Sequence, residues 1–193
     1  MGVSLSKGQS VSLVKGGGGG TLTKVRMGLG WDAMKKKGLF GGLKTQSIDL
    51  DASCLLFDSG NALVDQVWFR QLRSTDGAVV HTGDNVTGAG EGDDESIIVD
   101  LVGLSLNVRT LVFVVNSFTG QSFAQIENAY CRLVDETNGA ELARFDLSGS
   151  GPHTAQVMAK LTRDQQGWTM TAIGTQASGR TFRDLLPAVA THL

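Results

Sequence analysis

Apolar residues along the chain mostly alternate with polar residues or form short runs, and turn-forming residues separate these segments. Such patterns are typical of β-strands, because successive side chains of a strand point to opposite faces. The run at 110–118 is nearly all apolar, which predicts a central strand. The predicted strands cover residues 11–16, 21–31, 47–57, 63–69, 77–81, 96–101 and 110–118.

Two longer segments predict pairs of strands. Residues 129–147 divide at Asn138-Gly139, a dipeptide that favours the tight turn of a β-hairpin. Residues 156–174 repeat this pattern with a second glycine-containing turn. Residues 181–193 are the one segment with a helical pattern, although Pro187 interrupts it.

The fold class follows from the number of short strands. Many strands at regular spacing with little helix predict an all-β fold, an antiparallel β-sandwich with a short C-terminal helix. Two glycine-containing segments, "KGGGGGT" at 15–21 and "KKKGLFGGLK" at 35–44, are predicted to be loops. The length of 193 residues suits a single domain spanning 1–193.

Composition and charge narrow the class of protein. The formal net charge is −2, but residues 1–44 hold eight Lys or Arg and one acid, so the remainder is acidic. There is no apolar run of about 18 residues to span a membrane and no secretory pattern, so we expect a cytoplasmic location. Cys54 and Cys131 lie far apart in apolar runs and are predicted to be reduced core residues.

The segment "TGDNVTGAGEGDDE" at 82–95 carries five acids and four glycines without a single Lys or Arg. Three interpretations compete: a solvated acidic loop, a pair of carboxylates for acid–base catalysis, and a site for a hard cation such as Ca²⁺. Catalysis fits poorly, because it needs two carboxylates held rigidly in different environments. Ca²⁺ fits the composition better, because it takes carboxylate, amide and backbone oxygens as ligands.

A second acidic pattern favours the cation. Asp49 and Asp51 alternate within a predicted strand, so their side chains project from one face about 7 Å apart. Two such carboxylates are unfavourable in an apolar strand unless they are paired or metal-bound. Asp32 and Asn116 likewise bring oxygen atoms to the ends of apolar strands. We therefore expect several strand ends to meet the acidic segment at one edge of the sandwich.

Six sequence blocks spread over most of the chain form a specific combination. They are "VSLSKGQSVSL" (3–13), "GLGWD" (28–32), "SIDLDAS" (47–53), "HTGDNVTGAGEGDDE" (81–95), "VNSFTGQSFAQIENAYCRLVD" (115–135) and "ELARFDL" (141–147). Together these blocks resemble the TerD family of bacterial tellurium-resistance and stress-response proteins. The blocks "WFRQL" (68–72), "NSFTGQSF" (116–123) and "GLFGGL" (38–43) are most similar to its TerZ branch.

The resemblance implies a β-sandwich that binds Ca²⁺ at acidic loops and has no enzymatic turnover. It implies partners among other stress-response and tellurite-resistance proteins, some of them membrane-associated, with no nucleic-acid specificity and no transmembrane segment. The expected location is cytoplasmic, including the inner membrane surface. The metal ligands implied by the matching motifs are Asp32, Asp49, Asp51, Asp84, Asn85, Asp93, Asp94 and Glu95, to which we add Asn116 from a matching block.

The chain departs from the family pattern at Ala89 and Glu91, where the family often has Glu and Asp. Ala89 removes one carboxylate, which would weaken a site or change the number of bound ions. Two other functions stay open at this point. One is a hydrolase or transferase that uses the same carboxylates with Mg²⁺ on phosphate-containing substrates. The other is a purely structural protein with a disordered acidic loop, which predicts no saturable ion binding.

Overall fold

The computed structural model describes residues 3–4, 6–13, 22–32, 34–37, 43–46, 48–85, 92–147, 151–165 and 167–193. Two six-stranded sheets lie face to face and form a β-sandwich, which confirms the predicted fold class. The strands are β1 (Val3–Ser4), β2 (Ser10–Ser12), β3 (Lys24–Asp32), β4 (Met34–Lys37), β5 (Leu43–Gln46), β6 (Leu50–Phe57), β7 (Leu63–Val67), β8 (Val79–His81), β9 (Glu95–Asp100), β10 (Thr110–Ser117), β11 (Glu127–Asp135), β12 (Ala140–Asp146), β13 (Ala155–Arg163) and β14 (Trp168–Ala177).

The order of strands places chain-distant segments side by side. The first sheet has the order β1-β12-β11-β3-β9-β8, and the second has the order β2-β14-β13-β10-β6-β7. Neighbouring strands are antiparallel except β1 and β12, which are parallel. Strands β8 and β7 are the last strands of their sheets on the same side of the sandwich, where the two sheets are in contact.

Strand β10 is central to the second sheet, as its apolar sequence predicts. Alternate residues such as Leu111 and Phe113 face the core between the two sheets. The residues between them, Val112 and Val114, pack on the opposite face against the C-terminal helix. Both faces of β10 are therefore buried, which explains why its sequence does not alternate.

The C-terminal helix α1 (Phe182–Ala190) covers the second sheet through Phe182, Leu185 and Val189. The hydroxyl of Thr181 and the carboxylate of Asp184 form a capping box at its first turn, which satisfies backbone N–H groups that the helix leaves unpaired. Pro187 lies inside the helix without ending it. The prediction of a terminal helix is confirmed.

Two local predictions have different outcomes. The hairpin between β11 and β12 turns at Gly139, whose φ of 73° lies in the left-handed region, as predicted. The segment 35–44 was predicted to be a loop, but part of it belongs to β4 and β5, which pair with each other. Backbone pairing needs no apolar face, so a hydrophobic pattern does not reveal it. The predicted loop at 15–21 lies outside the described residues.

Candidate metal centre

Three carboxylates from both sheets meet where the start of β6 approaches the segment that follows β8. Asp51 is the second residue of β6 and is buried, Asp49 immediately precedes that strand, and Asp84 follows β8 of the other sheet. One oxygen from each of the three side chains lies within 4.8 Å of the others. The structure thus joins the two acidic patterns of the sequence at one position.

Asn116 adds an amide to this cluster. It is opposite Asp51 in the pairing of β10 with β6, and its Nδ2 donates to Asp51 Oδ2 at 2.8 Å and to the Arg180 carbonyl at 2.7 Å. Its Oδ1 is buried and has no donor among the described residues, and the same holds for Asp49 Oδ1. Buried oxygens without a donor are unfavourable in a folded protein. A hard cation would satisfy both of them, because it binds oxygen ligands.

Among the described residues, no positively charged side chain is paired with the carboxylates of the cluster. Burial, followed by the charges of Asp49 and Glu95, raises the pKa of Asp51 to about 8, despite the hydrogen bond from Asn116. Burial and the charges of Asp84 and Glu95 raise the pKa of Asp49. No Lys or Arg in the described ranges forms an ion pair with Asp49, Asp51 or Asp84. A cation would therefore relieve repulsion that the protein itself does not offset.

Glu95 lies behind the cluster and connects the two sheets. Its side chain is fully buried; Oε2 accepts the N–H of Ala52 in β6 at 2.8 Å, and Oε1 accepts the N–H of Asn85 at 3.2 Å. His81 Nδ1 accepts the N–H of Gly83, and its Nε2 lies 3.3 Å from Glu95 Oε2. Glu95 thus holds the segment that carries Asp84 against β6.

Asp94 and Asp32 lie apart from the three-carboxylate cluster. Asp94 Oδ2 accepts the N–H of Trp31 at 2.9 Å, and Oδ1 accepts Asn85 Nδ2 at 2.9 Å. Burial is the largest cause that raises the pKa of Asp94, with the charges of Asp32 and Asp93 adding to it. Asp32 is exposed and accepts Asn128 Nδ2 at 2.6 Å. Asp94 therefore fixes Asn85 to the end of β3.

Asp93, another of the expected ligands, lies on the outer face of the first sheet and is not one of the three clustered carboxylates. Its Oδ1 accepts Arg132 Nε at 2.7 Å, its Oδ2 accepts Arg26 Nη1, and the side chain is only 4% exposed. The Tyr130 hydroxyl donates to Gly92 O at 2.8 Å beside it. Two guanidiniums thus offset the charge of this carboxylate. Asp93 is therefore the anchor that attaches the acidic segment to the first sheet.

Two glycines of β3 leave the space that Asp93 and Tyr130 occupy. A Cβ atom added at Gly28 of β3 would lie 2.2 Å from Asp93 Oδ2, and one at Gly30 would lie 2.6 Å from the Tyr130 ring. The absence of these side chains leaves a shallow channel on the sheet in which the Asp93 carboxylate lies. The sequence contains a signal for this channel, because glycines two apart in a strand share a face.

The nine expected ligands therefore separate into three groups. Asp49, Asp51, Asp84 and Asn116 form the candidate metal centre, and Glu95, Asp94 and Asn85 hydrogen-bond around it. Asp93 and Asp32 lie outside. Sequence reasoning missed the residues that hold Asp93 in place, which are Arg26, Gly28, Tyr130 and Arg132. Ala89 and Glu91, where the chain departs from the family pattern, lie outside the described residues.

The two cysteines offer no alternative chemistry in this structure. Cys54 and Cys131 are buried and unpaired, as predicted. Burial raises the pKa of the Cys54 thiol above its usual range and that of Cys131 to about 12. The thiolate is the reactive form, so neither residue is a nucleophile at neutral pH.

The raised pKa values predict an unusual dependence of stability on pH. Carboxyl groups whose pKa is raised by folding stabilise the protein below their unfolded value near 4, and this contribution is lost as pH rises toward 8. Without a divalent cation, we expect the free energy of unfolding to fall across this window. Thermal unfolding in chelator at several pH values measures it, and Asp51→Asn should flatten the profile. A profile that rises steadily from pH 5 to 8 would contradict the prediction.

The fold and the site define a class of protein: an antiparallel β-sandwich that gathers acidic side chains from both sheets at one edge. The sequence matches the model of the TerD domain over residues 1–187. The chain therefore belongs to the TerD family, and the resemblance noted from its motifs is confirmed.

Relatives and a solved structure agree with this assignment. The chain is 54% identical over 185 residues to tellurium resistance protein TerZ of Serratia marcescens, covering 95% of this chain and 94% of TerZ. It is 37% identical over 198 residues to stress response protein SCP2 of Bacillus subtilis (strain 168), covering 96% and 98%. A solved homologue of telluride resistance protein (TerD), SCO6318 from Streptomyces coelicolor A3(2), has the same fold, with a TM-score of 0.69, 21% identity, and coverage of 82% and 92%.

The family is thus one of tellurium-resistance and stress-response proteins, and the names of these relatives mention no catalysed reaction. In the part of the chain that the structure describes, no helix has the length and apolar character needed to cross a membrane.

Proposed function

We propose that this protein is a non-enzymatic calcium-binding module of the tellurite-resistance and stress response. The observation that carries the proposal is the cluster of Asp49, Asp51 and Asp84 together with the buried, unpartnered oxygens of Asp49 and Asn116. All of these donors are oxygens, which favours a hard cation over zinc or copper.

The set of oxygen ligands favours Ca²⁺ over Mg²⁺. Ca²⁺ takes 6–8 oxygen ligands in a flexible geometry, whereas Mg²⁺ keeps several waters and is usually bound by one or two carboxylates. Here three carboxylates each place one oxygen within 4.8 Å of the others, and the unpartnered amide oxygen of Asn116 belongs to a residue that hydrogen-bonds one of them. This set exceeds what a typical Mg²⁺ site uses.

A bound Ca²⁺ would act as a joint between the sheets. Asp49 and Asp51 belong to the second sheet, and Asp84 lies between β8 and β9 of the first, on a segment held by Glu95 and Asp94. Neutralising Asp84 would fix the acidic segment to the edge of the sandwich and create a calcium-dependent surface for another protein. We propose other stress-response and tellurite-resistance proteins as these partners.

Calorimetric titration of Ca²⁺ into chelator-stripped protein tests the proposal, with Mg²⁺ as competitor. We expect saturable binding that survives an excess of Mg²⁺ and is lost in Asp84→Asn. Asp146→Asn removes an exposed carboxylate on β12 and is the matched control, for which we expect unchanged affinity. Absence of heat and of any thermal stabilisation would refute the calcium module, and equal loss in both variants would refute the assigned ligands.

Calcium affinity should depend on pH, because the ion and a proton compete for Asp51. The pKa of this carboxyl is about 8 without the ion, and Ca²⁺ binds only the ionised form. We expect the affinity to fall roughly tenfold for each pH unit below 8 and to level off above it. Titrations in buffers of different ionisation enthalpy would measure the released proton at pH 7. An affinity that does not change between pH 6 and 8 would contradict this assignment.

A further inference from the structure

Two exposed arginines near the candidate metal centre have no acidic partner. Arg70 follows β7 and Arg183 lies in the first turn of α1, and neither forms an ion pair with any described residue. Asp184 is next to Arg183 in sequence, but its Oδ2 accepts the N–H groups of Arg180 and Thr181 in the capping box. By contrast, Arg26, Arg132 and Arg144 on the first sheet each contact a carboxylate.

These two guanidiniums lie over the same indole ring. Arg70 Cζ is 5.7 Å and Arg183 Cζ is 5.0 Å from the centroid of Trp68. Phe69 and Phe182 pack edge-on against this ring, and each also lies beneath one of the guanidiniums. Stacking occupies the faces of a guanidinium and leaves the N–H groups on its edge free to donate. Two like charges thus lie against one indole ring, with unused donors and no counter-ion among the described residues.

Contacts connect this arginine pair to the metal centre. The N–H of Phe118 donates to the Asp49 carbonyl at 3.0 Å, and the Phe118 ring lies 5.7 Å from Phe69. On the other side, Asn116 Nδ2 donates to the carbonyl of Arg180, which precedes α1. Phe118 is 38% exposed. Direct contacts through Phe118 and Arg180 therefore connect the metal centre to the residues that carry the arginine pair.

We propose that the Arg70–Arg183 pair binds a phosphate group, and that a cation at Asp49, Asp51 and Asp84 strengthens this binding. Guanidinium edges match phosphate oxygens in paired hydrogen bonds, and a tetrahedral phosphate can accept from two arginines at once. Without the cation, the neighbouring carboxylates repel an anion; with it, their charge is offset. The second half of the proposal rests on the function proposed above, whereas the first half does not.

Nuclear magnetic resonance titration with methyl phosphate tests the arginine pair, using the indole N–H of Trp68 and the Nε–H groups of the arginines as probes. We expect saturable shifts of these signals in chelator, and an affinity several-fold higher in saturating Ca²⁺. The variant Arg70→Gln with Arg183→Gln should lose the shifts in both conditions. Both side chains are exposed, so we expect the variant to fold normally.

A second pair of arginines provides the matched control. Arg163 also stacks on an indole, with its Cζ 4.7 Å from the Trp168 centroid, but it donates to the carbonyls of Leu104 and Ser105. Arg109→Gln with Arg163→Gln removes the same net charge, and we expect it to bind methyl phosphate like the native protein. Equal loss in both double variants would overturn the proposal, because it would show a response to net charge alone.

The outcomes separate this inference from the calcium module. No saturable shift in the native protein would overturn the phosphate site, even if Ca²⁺ binds as expected. Phosphate binding that Ca²⁺ does not strengthen would overturn the coupling and leave the arginine site standing. Co-sedimentation with vesicles containing phosphatidylglycerol then identifies the source of the phosphate. Arginine-dependent sedimentation supports a lipid headgroup, and its absence alongside methyl phosphate binding supports a soluble ligand.

Discussion

Asp51→Asn should abolish calcium binding while leaving the cation-free protein at least as stable as the native one. Asp51 is 4% exposed and is the most buried of the three clustered carboxylates. Water therefore cannot readily take the place of its oxygen as a ligand. Loss of groups around a metal typically reduces affinity about 10–100-fold. We expect loss of this direct ligand to exceed that range.

The stability of the variant follows from the same burial. The native carboxyl has a pKa of about 8, so ionising it in the folded protein is unfavourable. Asparagine has the same shape, carries no charge, and can accept the hydrogen bond from Asn116 through its own oxygen. Thermal unfolding at pH 8 in chelator should therefore show a melting temperature equal to or above that of the native protein.

Thermal unfolding with and without Ca²⁺ measures both effects in one experiment. The native protein and Asp146→Asn should be stabilised by Ca²⁺, and Asp51→Asn should not respond. Calcium stabilisation of Asp51→Asn equal to that of the native protein would rule out Asp51 as a ligand. A large loss of stability in chelator would instead show that the carboxylate has a structural role.

Gly28→Ala should destabilise the fold by on the order of 3 kcal/mol and weaken calcium binding. The added methyl group would lie 2.2 Å from Asp93 Oδ2, in the space that the carboxylate now occupies. Asp93 is held from two sides by Arg26 and Arg132, so it cannot move without breaking a nearly buried ion-pair network. Displacing it leaves two guanidiniums without this partner.

The effect on calcium arises because Asp93 is next to Asp94 and Glu95, which both hold Asn85. Displacement of the anchor would loosen the segment that presents Asp84. Denaturant unfolding and calcium titration measure the two effects, and Gly60→Ala is the matched control. A Cβ at Gly60 would lie 3.3 Å from Asp58 Oδ1 in an exposed turn, so we expect a change within about 0.5 kcal/mol. A similarly small change in Gly28→Ala would contradict the anchor.

The sandwich could be predicted from the sequence because its signals are local. The apolar run of β10, the Asn138-Gly139 turn and the terminal helix each depend on residues close together in the chain. The strands β4 and β5 were not predicted, because a two-stranded ribbon depends on backbone pairing rather than on an apolar face and so needs no hydrophobic pattern.

The centre of the metal site could also be predicted in part. Asp49 and Asp51 stand out because two carboxylates share one face of an otherwise apolar strand, and the structure brings Asp84 to them. The geometry that unites them, a contact between edges of two sheets, has no local signal. Only the convergence of several oxygen-bearing strand ends suggested it.

The three consecutive acids at 93–95 show where sequence reasoning fails. In the sequence, nothing distinguishes these three acids from one another. In the structure, Asp93 contacts arginines on the outer face, Asp94 accepts a backbone N–H at the end of β3, and Glu95 lies between the sheets. The partners of Asp93 are 67 and 39 residues away in the chain, that of Asp94 is 63 residues away, and that of Glu95 is 43 residues away. The different roles therefore depend on tertiary contacts, which no local pattern contains.

A crystal structure of the protein grown with Ca²⁺, with anomalous scattering recorded to locate the ion, tests the central claim most directly. We predict a peak coordinated by carboxylate oxygens of Asp49, Asp51 and Asp84, at the 2.3–2.6 Å distances typical of Ca²⁺. We also expect the amide oxygen of Asn116 to have gained a partner, either the ion or a water bound to it. A fully occupied ion elsewhere, with this cluster left without one in saturating Ca²⁺, would contradict the account.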